Sequence, residues 1–302
     1  MAFFGVCYSP YRLETTPPPH MVPESQVDAD IKQIAAAGFK CIRTYSQGGA
    51  FDGNIWNVPA AAKHGLKVGL GVWIVPDNDT LNQKRIDTAW AQLQAHPSAA
   101  MHLVIGNEVN RKDSGVYTPS DVLKAVKYAI AQRAHYPAVP SNTHVTVCFS
   151  GTVLQNAGSP WEEVVKACES IVYLTVYPWY GGAQPGNINQ NMEWSWNNGM
   201  QQVAALGKKV IIAEIGWPSA GGRETTVANE QTNYGVTQQW VSGQNKLKMA
   251  FDTYWFEMYD EPWKTAEGAW GPYWGLCHSS GQPKFQFSAC VDEQPARSAV
   301  EV

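Results

Sequence analysis

Charged side chains are scarce in this sequence, and neither sign dominates. Asp, Glu, Lys and Arg make up 16% of the 302 residues, against roughly 25% in an average globular chain. The net charge is −4 and no Lys/Arg run is present to neutralise phosphates, which argues against a nucleic-acid partner. Apolar runs of about 18 residues are also lacking, so the sequence predicts no membrane span.

Several catalytic signatures are missing as well. The seven histidines show no His-x-x-x-His spacing, and we expect them at the surface or at helix ends. No cysteine pair has the two-residue gap of a zinc or redox motif, and no Gly-x-Ser-x-Gly turn stands at a predicted strand end. The sequence therefore predicts no metal and no cofactor, and it disfavours metal-dependent and Ser-His-Asp hydrolases.

The six cysteines fit disulfides in a secreted protein without requiring them. Cys277 and Cys290 flank a loop containing Gly and Pro and are the best candidates for a bridge. Cys148 and Cys168 could link a strand to the helix that follows it. The other two lie in strand-like runs and are expected to be free core thiols. The first residues lead straight into a strand, so secretion would require that a leader has been removed.

Aromatic residues, by contrast, are abundant, with 13 Trp, 13 Tyr and 9 Phe, and eight short apolar runs recur along the chain. The runs begin 27 to 42 residues apart, which is the length of one strand-helix unit. We predict strands at residues 3–9, 39–46, 67–73, 102–108, 144–150, 171–177, 209–217 and 249–257.

Amphipathic helical patterns fill most of the gaps between these strands. One begins at Thr118-Pro119, a capping residue followed by proline at the first helical position, and Asn78 is either a helix cap or a glycosylation site. Eight alternating units predict an α/β fold, a single (β/α)8 TIM barrel over residues 1–302. A doubly wound sheet is the alternative, although the expected Gly-rich turn after the first strand is absent.

Three of the predicted strands carry a carboxylate at or near their C-terminal end: Glu108, Glu214 and Glu257. A barrel gathers the C-terminal ends of its strands at one mouth, so Glu108 and Glu214 can face each other there. Two facing carboxyls are the requirement of glycoside hydrolysis, one as proton donor and one as nucleophile or base. The alternative is that they are strand-end ion pairs with Arg43 or with lysines. Arg43 and Tyr45 share one face of their strand.

Two segments carry a resemblance to a known family. Residues 104–109 (Val-Ile-Gly-Asn-Glu-Val) and 210–219 (Val-Ile-Ile-Ala-Glu-Ile-Gly-Trp-Pro-Ser) resemble the two catalytic signatures of glycoside hydrolase family 17. Further matches stand at 5–8, which includes Tyr8, at 42–45, at Tyr177-Pro178 and at 256–264. The resemblance implies a retaining enzyme acting on β-1,3-glucan. It is closer to the fungal cell-wall branch, which includes glucanosyltransferases, than to the plant endoglucanases.

The resemblance also implies roles for individual residues. Glu108 would be the acid/base and Glu214 the nucleophile, with the two carboxyl groups about 5–5.5 Å apart. Arg43 is placed to keep Glu214 ionised, Tyr177 to orient it, and Asn107 to bind the sugar 2-hydroxyl. We expect Glu108 to have the raised pKa and to lack a direct cation.

Supporting residues follow the last predicted strand. Glu257, Glu261 and Lys264 match acidic and basic positions of plant members and are expected to pair among themselves. Glu267 is separated from Trp274-Gly275-Leu276 by an apparent insertion, which is a departure from the plant pattern. Among the aromatic residues after strand ends, we predict that Trp179, Trp217 and Trp263 form sugar subsites, because sugar rings stack on aromatic faces.

These observations predict a secreted or cell-wall enzyme whose partner is β-1,3-glucan and which acts as a monomer. Glucanosyl transfer is the favoured reaction, and endo-β-1,3-glucanase activity is the alternative. A non-catalytic glucan-binding wall protein is the alternative of a different class, although binding alone needs neither carboxylate.

Overall fold

Eight parallel strands close into a barrel in the order of the chain, with the last strand hydrogen-bonded to the first. The computed structural model describes residues 4–15, 22–46, 53–111 and 117–289. The closed barrel confirms the predicted (β/α)8 architecture and excludes the doubly wound sheet. The strands are β1 (Phe4–Cys7), β2 (Cys41–Arg43), β3 (Lys67–Val72), β4 (Ala100–Ile105), β5 (His144–Ser150), β6 (Ile171–Thr175), β7 (Lys209–Ile215) and β8 (Thr253–Trp255).

All eight predicted strands are present, and most are shorter than the apolar runs that predicted them. The difference is largest for β8, which begins four residues later than predicted, at Thr253. Close packing between strands is visible at Gly71 of β3, where a Cβ atom would lie 2.3 Å from the carbonyl oxygen of Thr44. A side chain at that position would push β2 and β3 apart.

Helices alternate with the strands along the chain. They are α1 (Glu24–Ala36), α2 (Asn57–Lys63), α3 (Asp79–Ala95), α4 (Pro119–Gln132), α5 (Glu162–Ala167), α6 (Asn189–Ser195), α7 (Gln201–Ala205) and α8 (Val227–Val241). The predicted cap of α4 is confirmed, since Thr118 and Asp121 form a reciprocal capping box. Asn78 caps α3 by accepting from the Leu81 N–H. Among the described residues, no helix is both long and apolar enough to cross a membrane.

A small polar cluster lies inside the barrel, among otherwise apolar side chains. His102 Nδ1 lies 2.8 Å from the Tyr173 hydroxyl, which in turn lies 3.1 Å from the hydroxyl of Tyr254. Burial lowers the pKa of His102 to about 3, so this imidazole is neutral. The prediction that the histidines lie at the surface or at helix ends is therefore wrong for His102, because its partners supply the hydrogen bonds that water would otherwise make.

The predicted bridge between Cys148 and Cys168 is wrong, since both are buried free thiols. The Glu169 N–H donates to the Val145 carbonyl, which places the chain around Cys168 about 10 Å below Cys148 along the strands. A disulfide needs Cα atoms within about 7 Å. Cys277 forms no disulfide with another described cysteine, and Cys290 lies outside the described residues, so a bridge between these two stays a prediction. The other described cysteines, Cys7 and Cys41, are free and buried, as expected.

Candidate active site

A cavity of about 870 Å³ opens at the C-terminal ends of the strands and contains both predicted carboxyls. Glu108 lies just beyond β4 and Glu214 is the penultimate residue of β7. Both line the cavity. Seven of the predicted supporting residues line it as well: Tyr8, Tyr45, Asn107, Tyr177, Glu261, Trp263 and Lys264. The barrel thus brings together groups more than 100 positions apart in the sequence.

Glu214 is almost fully buried and has two side-chain partners. Its Oε1 atom forms an ion pair with Nη1 of Arg43, and its Oε2 accepts a 2.5 Å hydrogen bond from the Tyr177 hydroxyl. Burial and the neighbouring Glu214 charge raise the pKa of Tyr177, so the phenol stays protonated and can donate. The predicted placement of Arg43 and Tyr177 against Glu214 is therefore present.

Arg43 connects three strands at the base of the cavity. Its Nη2 donates to Oδ1 of Asn107 at 2.5 Å, and Nη1 also donates to the carbonyl oxygen of Ala213 at 3.2 Å. The guanidinium lies over the ring of Tyr45, 4.7 Å from its centroid. A buried arginine with this many partners is rigid, and it fixes the positions of Glu214 and Asn107 relative to one another.

Glu108 has different surroundings. The chain leaves β4 through Gly106 at φ 71° and reaches Glu108 at φ 46°, a left-handed conformation that aims the side chain into the cavity. Its Oε1 accepts from the Thr175 hydroxyl at 2.5 Å, and its Oε2 pairs with Arg111 at 3.1 Å. Burial, and next the charge of Glu214, raise the pKa of Glu108, as predicted.

The expectation that Glu108 lacks a direct cation is wrong, because Arg111 reaches it from three residues further along the chain. The turn after β4 folds back, with the Arg111 N–H donating to the Glu108 carbonyl oxygen, and this brings the two side chains together. The Arg111 side chain is 39% exposed, so water weakens its effect on the carboxyl. Burial therefore outweighs it, and the pKa shift is upward.

Three buried charges lie beside the cavity and pair among themselves, as predicted. Lys264 donates to both oxygens of Glu257 at 2.9 and 3.0 Å and forms an ion pair with Glu261. Burial and the adjacent Glu261 raise the pKa of Glu257. Burial alone would raise the pKa of Glu261 too, but the Lys264 ammonium holds it below the ordinary value. The cluster cross-links the segment after β8 internally, and its members Glu261 and Lys264 line the cavity.

Glu267 also lines the cavity, despite the insertion that follows it. It ends a short 3₁₀ turn (Lys264–Glu267), and burial raises its pKa. The turn brings Glu267 back toward Lys264, which is why the departure in sequence does not remove this carboxyl from the site.

The aromatic residues divide into two groups that sequence order does not separate. Trp263 lines the cavity, as predicted. Trp179 and Trp217 do not: they are 6% and 1% exposed, and their indole N–H groups donate to the carbonyl oxygens of Arg223 and Glu224. Both are packed within the loops around the mouth of the barrel. Because their side chains are buried there, the prediction that they form sugar subsites is wrong.

Other aromatic residues take that place at the cavity surface. Trp73 follows β3 and is 39% exposed, and Tyr180 is 54% exposed. Both line the cavity. Tyr180 packs on Trp179 with ring centroids 4.9 Å apart and accepts a hydrogen bond from the Trp270 indole at 3.1 Å. Trp179 thus supports a cavity residue without reaching the cavity itself.

Sequence reasoning missed Thr175 and Arg111. Thr175 stands in an apolar strand run, where threonine is a common β-former, so nothing in the sequence marks it. Arg111 lies close to the Asn107-Glu108 pair, and that proximity was the available signal. Its side chain reaches Glu108 only because the turn after β4 reverses the chain.

Comparisons with known proteins agree with the fold and with the sequence resemblance. Residues 5–275 match the family model of the BtgE/BtgC glycoside hydrolase domain. A probable glucan endo-1,3-beta-glucosidase btgC of Aspergillus flavus is 27% identical over 241 residues, which are 72% of this chain and 33% of that protein. The glucan endo-1,3-beta-glucosidase btgC of Emericella nidulans is 27% identical over 234 residues, 70% and 34% of the two chains. The chain spans about a third of the length of these curated relatives.

Among solved structures, the fold resembles a β-1,3-glucanosyltransferase of Rhizomucor miehei, an active-site mutant in complex with laminaritriose. The TM-score is 0.72 at 19% identity, covering 95% of this chain and 98% of that one. A β-1,3-glucanase and allergen of Cryptomeria japonica pollen gives a TM-score of 0.73 at 18% identity, covering 96% and 100%. The predicted membership of a glycoside hydrolase family is confirmed, since the chain belongs to the BtgE/BtgC glycoside hydrolase domain family.

Proposed function

We propose that this chain is a retaining enzyme that acts on β-1,3-glucan and transfers glucanosyl units to sugar acceptors. The observation that carries the proposal is the pair of carboxyls in one cavity with opposite surroundings. Glu214 is paired with the Arg43 guanidinium and accepts a hydrogen bond from Tyr177, whereas burial raises the pKa of Glu108. Environments that separate two carboxyls in this way assign them to nucleophile and acid.

In the proposed reaction, a Glu214 oxygen bonds to the anomeric carbon of the donor as the glycosidic bond breaks. Glu108 gives its proton to the leaving oxygen, and the freed chain departs. In the second step Glu108 takes a proton from an acceptor hydroxyl, which displaces Glu214 and restores both carboxyls. Asn107 Oδ1 already accepts from Arg43, so its NH₂ group is the one available to the donor's 2-hydroxyl.

The choice of substrate rests on the relatives. The btgC relatives are named as glucan endo-1,3-beta-glucosidases, and the Rhizomucor miehei structure holds laminaritriose. The cavity supports a neutral, ring-shaped ligand, because aromatic faces such as those of Trp73 and Trp263 line it. The proposal also includes that the protein is secreted or located in the cell wall and that it acts as a monomer.

Transfer is proposed over hydrolysis because the cavity offers aromatic surfaces on which an acceptor sugar can bind. Water is present in great excess, so transfer requires an acceptor held in attack geometry. Positioning can supply effective molarities of about 10⁵ M or more, which is enough to outcompete water. Trp263, Trp73 and Tyr180 supply that surface; Trp179 acts only by supporting Tyr180.

The testing experiment incubates the protein with one pure β-1,3-glucan oligosaccharide at millimolar concentration and follows the product masses. Products longer than the starting sugar should appear early and dominate, and a Glu214→Ala variant should form none. Only shorter products at every concentration would establish the alternative, an endo-β-1,3-glucanase. A wild-type protein that binds the sugar without changing it would be the non-catalytic binder.

The roles of the two carboxyls have their own test, which is azide rescue. Glu108→Ala should regain activity with azide and yield a β-azide, because azide attacks the glycosyl-Glu214 intermediate. Glu214→Ala forms no such intermediate, so any azide product should come from direct displacement on the donor and be an α-azide. The reverse pattern would exchange the roles.

The retaining mechanism makes further predictions. The products should be β-anomers, and the two carboxyl groups should lie about 5–5.5 Å apart. The pH profile of activity should be bell-shaped, with its maximum below neutrality.

A further inference from the structure

The end of β6 and the segment that follows it present a hydroxyl donor to each of the two carboxyls. Thr175, the last residue of β6, donates from Oγ1 to Glu108 Oε1 at 2.5 Å. Tyr177, two residues past the end of the strand, donates to Glu214 Oε2 at 2.5 Å. The two donors are therefore close neighbours in the chain, although the carboxyls that they contact lie on different segments.

Thr175 is held by backbone on both sides. Its carbonyl oxygen accepts from the N–H of Gly151 at 3.0 Å, and it is in register with Glu214 on β7. The N–H of Val176 donates to the carbonyl oxygen of Glu214 at 2.9 Å. The residue is 4% exposed. Its hydroxyl is therefore located by the barrel itself, at a fixed position relative to Glu214.

Glu108 is less constrained by its own segment. It lies past the last residue of β4 in a left-handed conformation, and its other side-chain contact is Arg111, which is 39% exposed. Exposed ion pairs are weak and screened by salt. Because β5 lies between β4 and β6, the contact with Thr175 runs across the barrel interior, where water does not compete freely.

The two contacts of Glu108 also differ in which protonation state they allow. Thr175 can donate to Oε1 whether the carboxyl is ionised or neutral, because the carbonyl oxygen of the neutral acid still accepts. Arg111 has only donors, so its ion pair with Oε2 is lost when that oxygen is protonated, and a weaker hydrogen bond is all that can remain. While Thr175 donates to Oε1, the proton of neutral Glu108 is on Oε2, and Arg111 no longer forms an ion pair there.

We propose that Thr175 is the positioning residue of the acid/base, and that it reserves Oε1 as an acceptor so that Oε2 carries the proton to the leaving oxygen. The proposal rests on the proposed function. In the step, the Oε2–H bond breaks, the proton joins the glycosidic oxygen, and that oxygen keeps the electron pair of its bond to the anomeric carbon. Arg111 returns to Oε2 once Glu108 is ionised.

The hydroxyl of Thr175 stabilises the ionised form of Glu108 more than the neutral form, so its removal should raise the pKa of Glu108 further. The basic limb of the pH profile, which requires a protonated acid, should then move to higher pH. The other titratable groups that act on Glu108, or on which it acts, stay in place in the variants: Glu214, Arg111, Cys148, Tyr177 and Tyr180.

The test compares Thr175→Val, which keeps the shape and loses the hydroxyl, with Thr175→Ser, which keeps the hydroxyl. Thr146→Val is the matched control, because Thr146 is a buried barrel threonine that donates to the Ile171 carbonyl oxygen. Two donors are used: a β-1,3-glucan oligosaccharide, which needs a proton on its leaving oxygen, and a dinitrophenyl β-glycoside of the same sugar, which does not.

Thr175→Val should lose about tenfold or more in the rate of glycosyl-enzyme formation from the oligosaccharide and less than about threefold from the dinitrophenyl glycoside, since general acid catalysis contributes roughly 10²–10⁴. Thr175→Ser and Thr146→Val should resemble the wild type in that ratio. Equal losses on both donors, or a Thr175→Ser variant that behaves like Thr175→Val, would overturn the proposal.

A second measurement needs no substrate. Carboxyl ¹³C titration, with the Glu108 signal assigned through Glu108→Gln, should show a higher midpoint in Thr175→Val and an unchanged one in Thr175→Ser. An unchanged midpoint in Thr175→Val would contradict the hydrogen bond. The wild-type activity decides the proposed function, and this titration decides the role of Thr175 independently of it.

Discussion

Arg43 is the residue whose removal tests most of the site at once. We consider Arg43→Met, which keeps the length of the side chain and removes its charge. Arg43 is 1% exposed and its partner Glu214 is 4% exposed. The substitution leaves a buried carboxylate with Tyr177 as its remaining side-chain partner, and it removes the donor to Asn107.

The expected loss follows from the burial of both partners. Breaking a buried ion pair by removing one member costs about 3–5 kcal/mol, because the remaining charge is uncompensated. Water entering from the cavity can satisfy the Asn107 oxygen, so we add nothing for it. Removal of the guanidinium also removes the group that holds Glu214 and Asn107 in position relative to one another. Because misplacement of a reacting group can cost about 10²-fold in rate, kcat/KM should fall by about 10²-fold or more.

Urea unfolding followed by tryptophan fluorescence measures the first quantity, and kcat/KM on a β-1,3-glucan oligosaccharide measures the second. Arg43→Lys is the conservative control and should lose less stability, because it keeps the charge. The double variant Arg43→Met with Glu214→Gln has no charge left in the pair. It should regain most of the stability and none of the activity. A single variant as stable as the wild type, or a double variant no more stable than the single one, would refute this reasoning.

Two further predictions concern an aromatic residue of the cavity and a buried ion cluster outside it. Trp73→Ala should raise KM for the oligosaccharide about tenfold with little loss of stability, because its exposed ring lines the cavity. Trp217→Phe should lower stability and leave KM unchanged, because Trp217 is buried. Equal effects of the two substitutions on the steady-state KM would contradict the assignment. Lys284→Met should destabilise the fold by about 3–5 kcal/mol, because its ammonium pairs with the fully buried Glu230 and with Asp260 at 2.7 Å. Adding Glu230→Gln should restore part of the lost unfolding free energy, measured by urea unfolding. A double variant that is less stable than Lys284→Met would argue against the pairing.

Several features were determined by the sequence alone. Apolar runs of strand length at near-regular spacing predicted the eight strands, and the lack of a Gly-rich turn after the first strand favoured a barrel over a doubly wound sheet. The barrel then fixes where strand ends meet, which is why Glu108 and Glu214 were placed in one cavity before any coordinates. The placement of Arg43 beside Glu214 was expected once the family resemblance had assigned the role of Glu214, and the ion pair is present.

Other features were decided only by the tertiary structure. Trp179 and Trp263 both follow strand ends, yet the first is packed under Tyr180 and the second lines the cavity. Sequence gives the position of a side chain along its strand, whereas exposure depends on how separate loops stack above the barrel. The cysteine pair was misjudged for a similar reason, because the register between β5 and the chain before β6 sets Cys148 and Cys168 at different heights.

Thr175 and Arg111 show where this boundary lies. Each is ordinary in its local sequence, and each acquires its role from one long contact or one turn: Thr175 reaches Glu108 across the barrel interior, and Arg111 reaches it through a chain reversal at positive φ. The hydrophobic pattern of a segment indicates which residues are buried and whether the segment is a helix or a strand, and both properties are local. The hydrogen bonds that set the protonation of Glu108 depend on distances between strands β4 and β6, and only the closed barrel defines those distances.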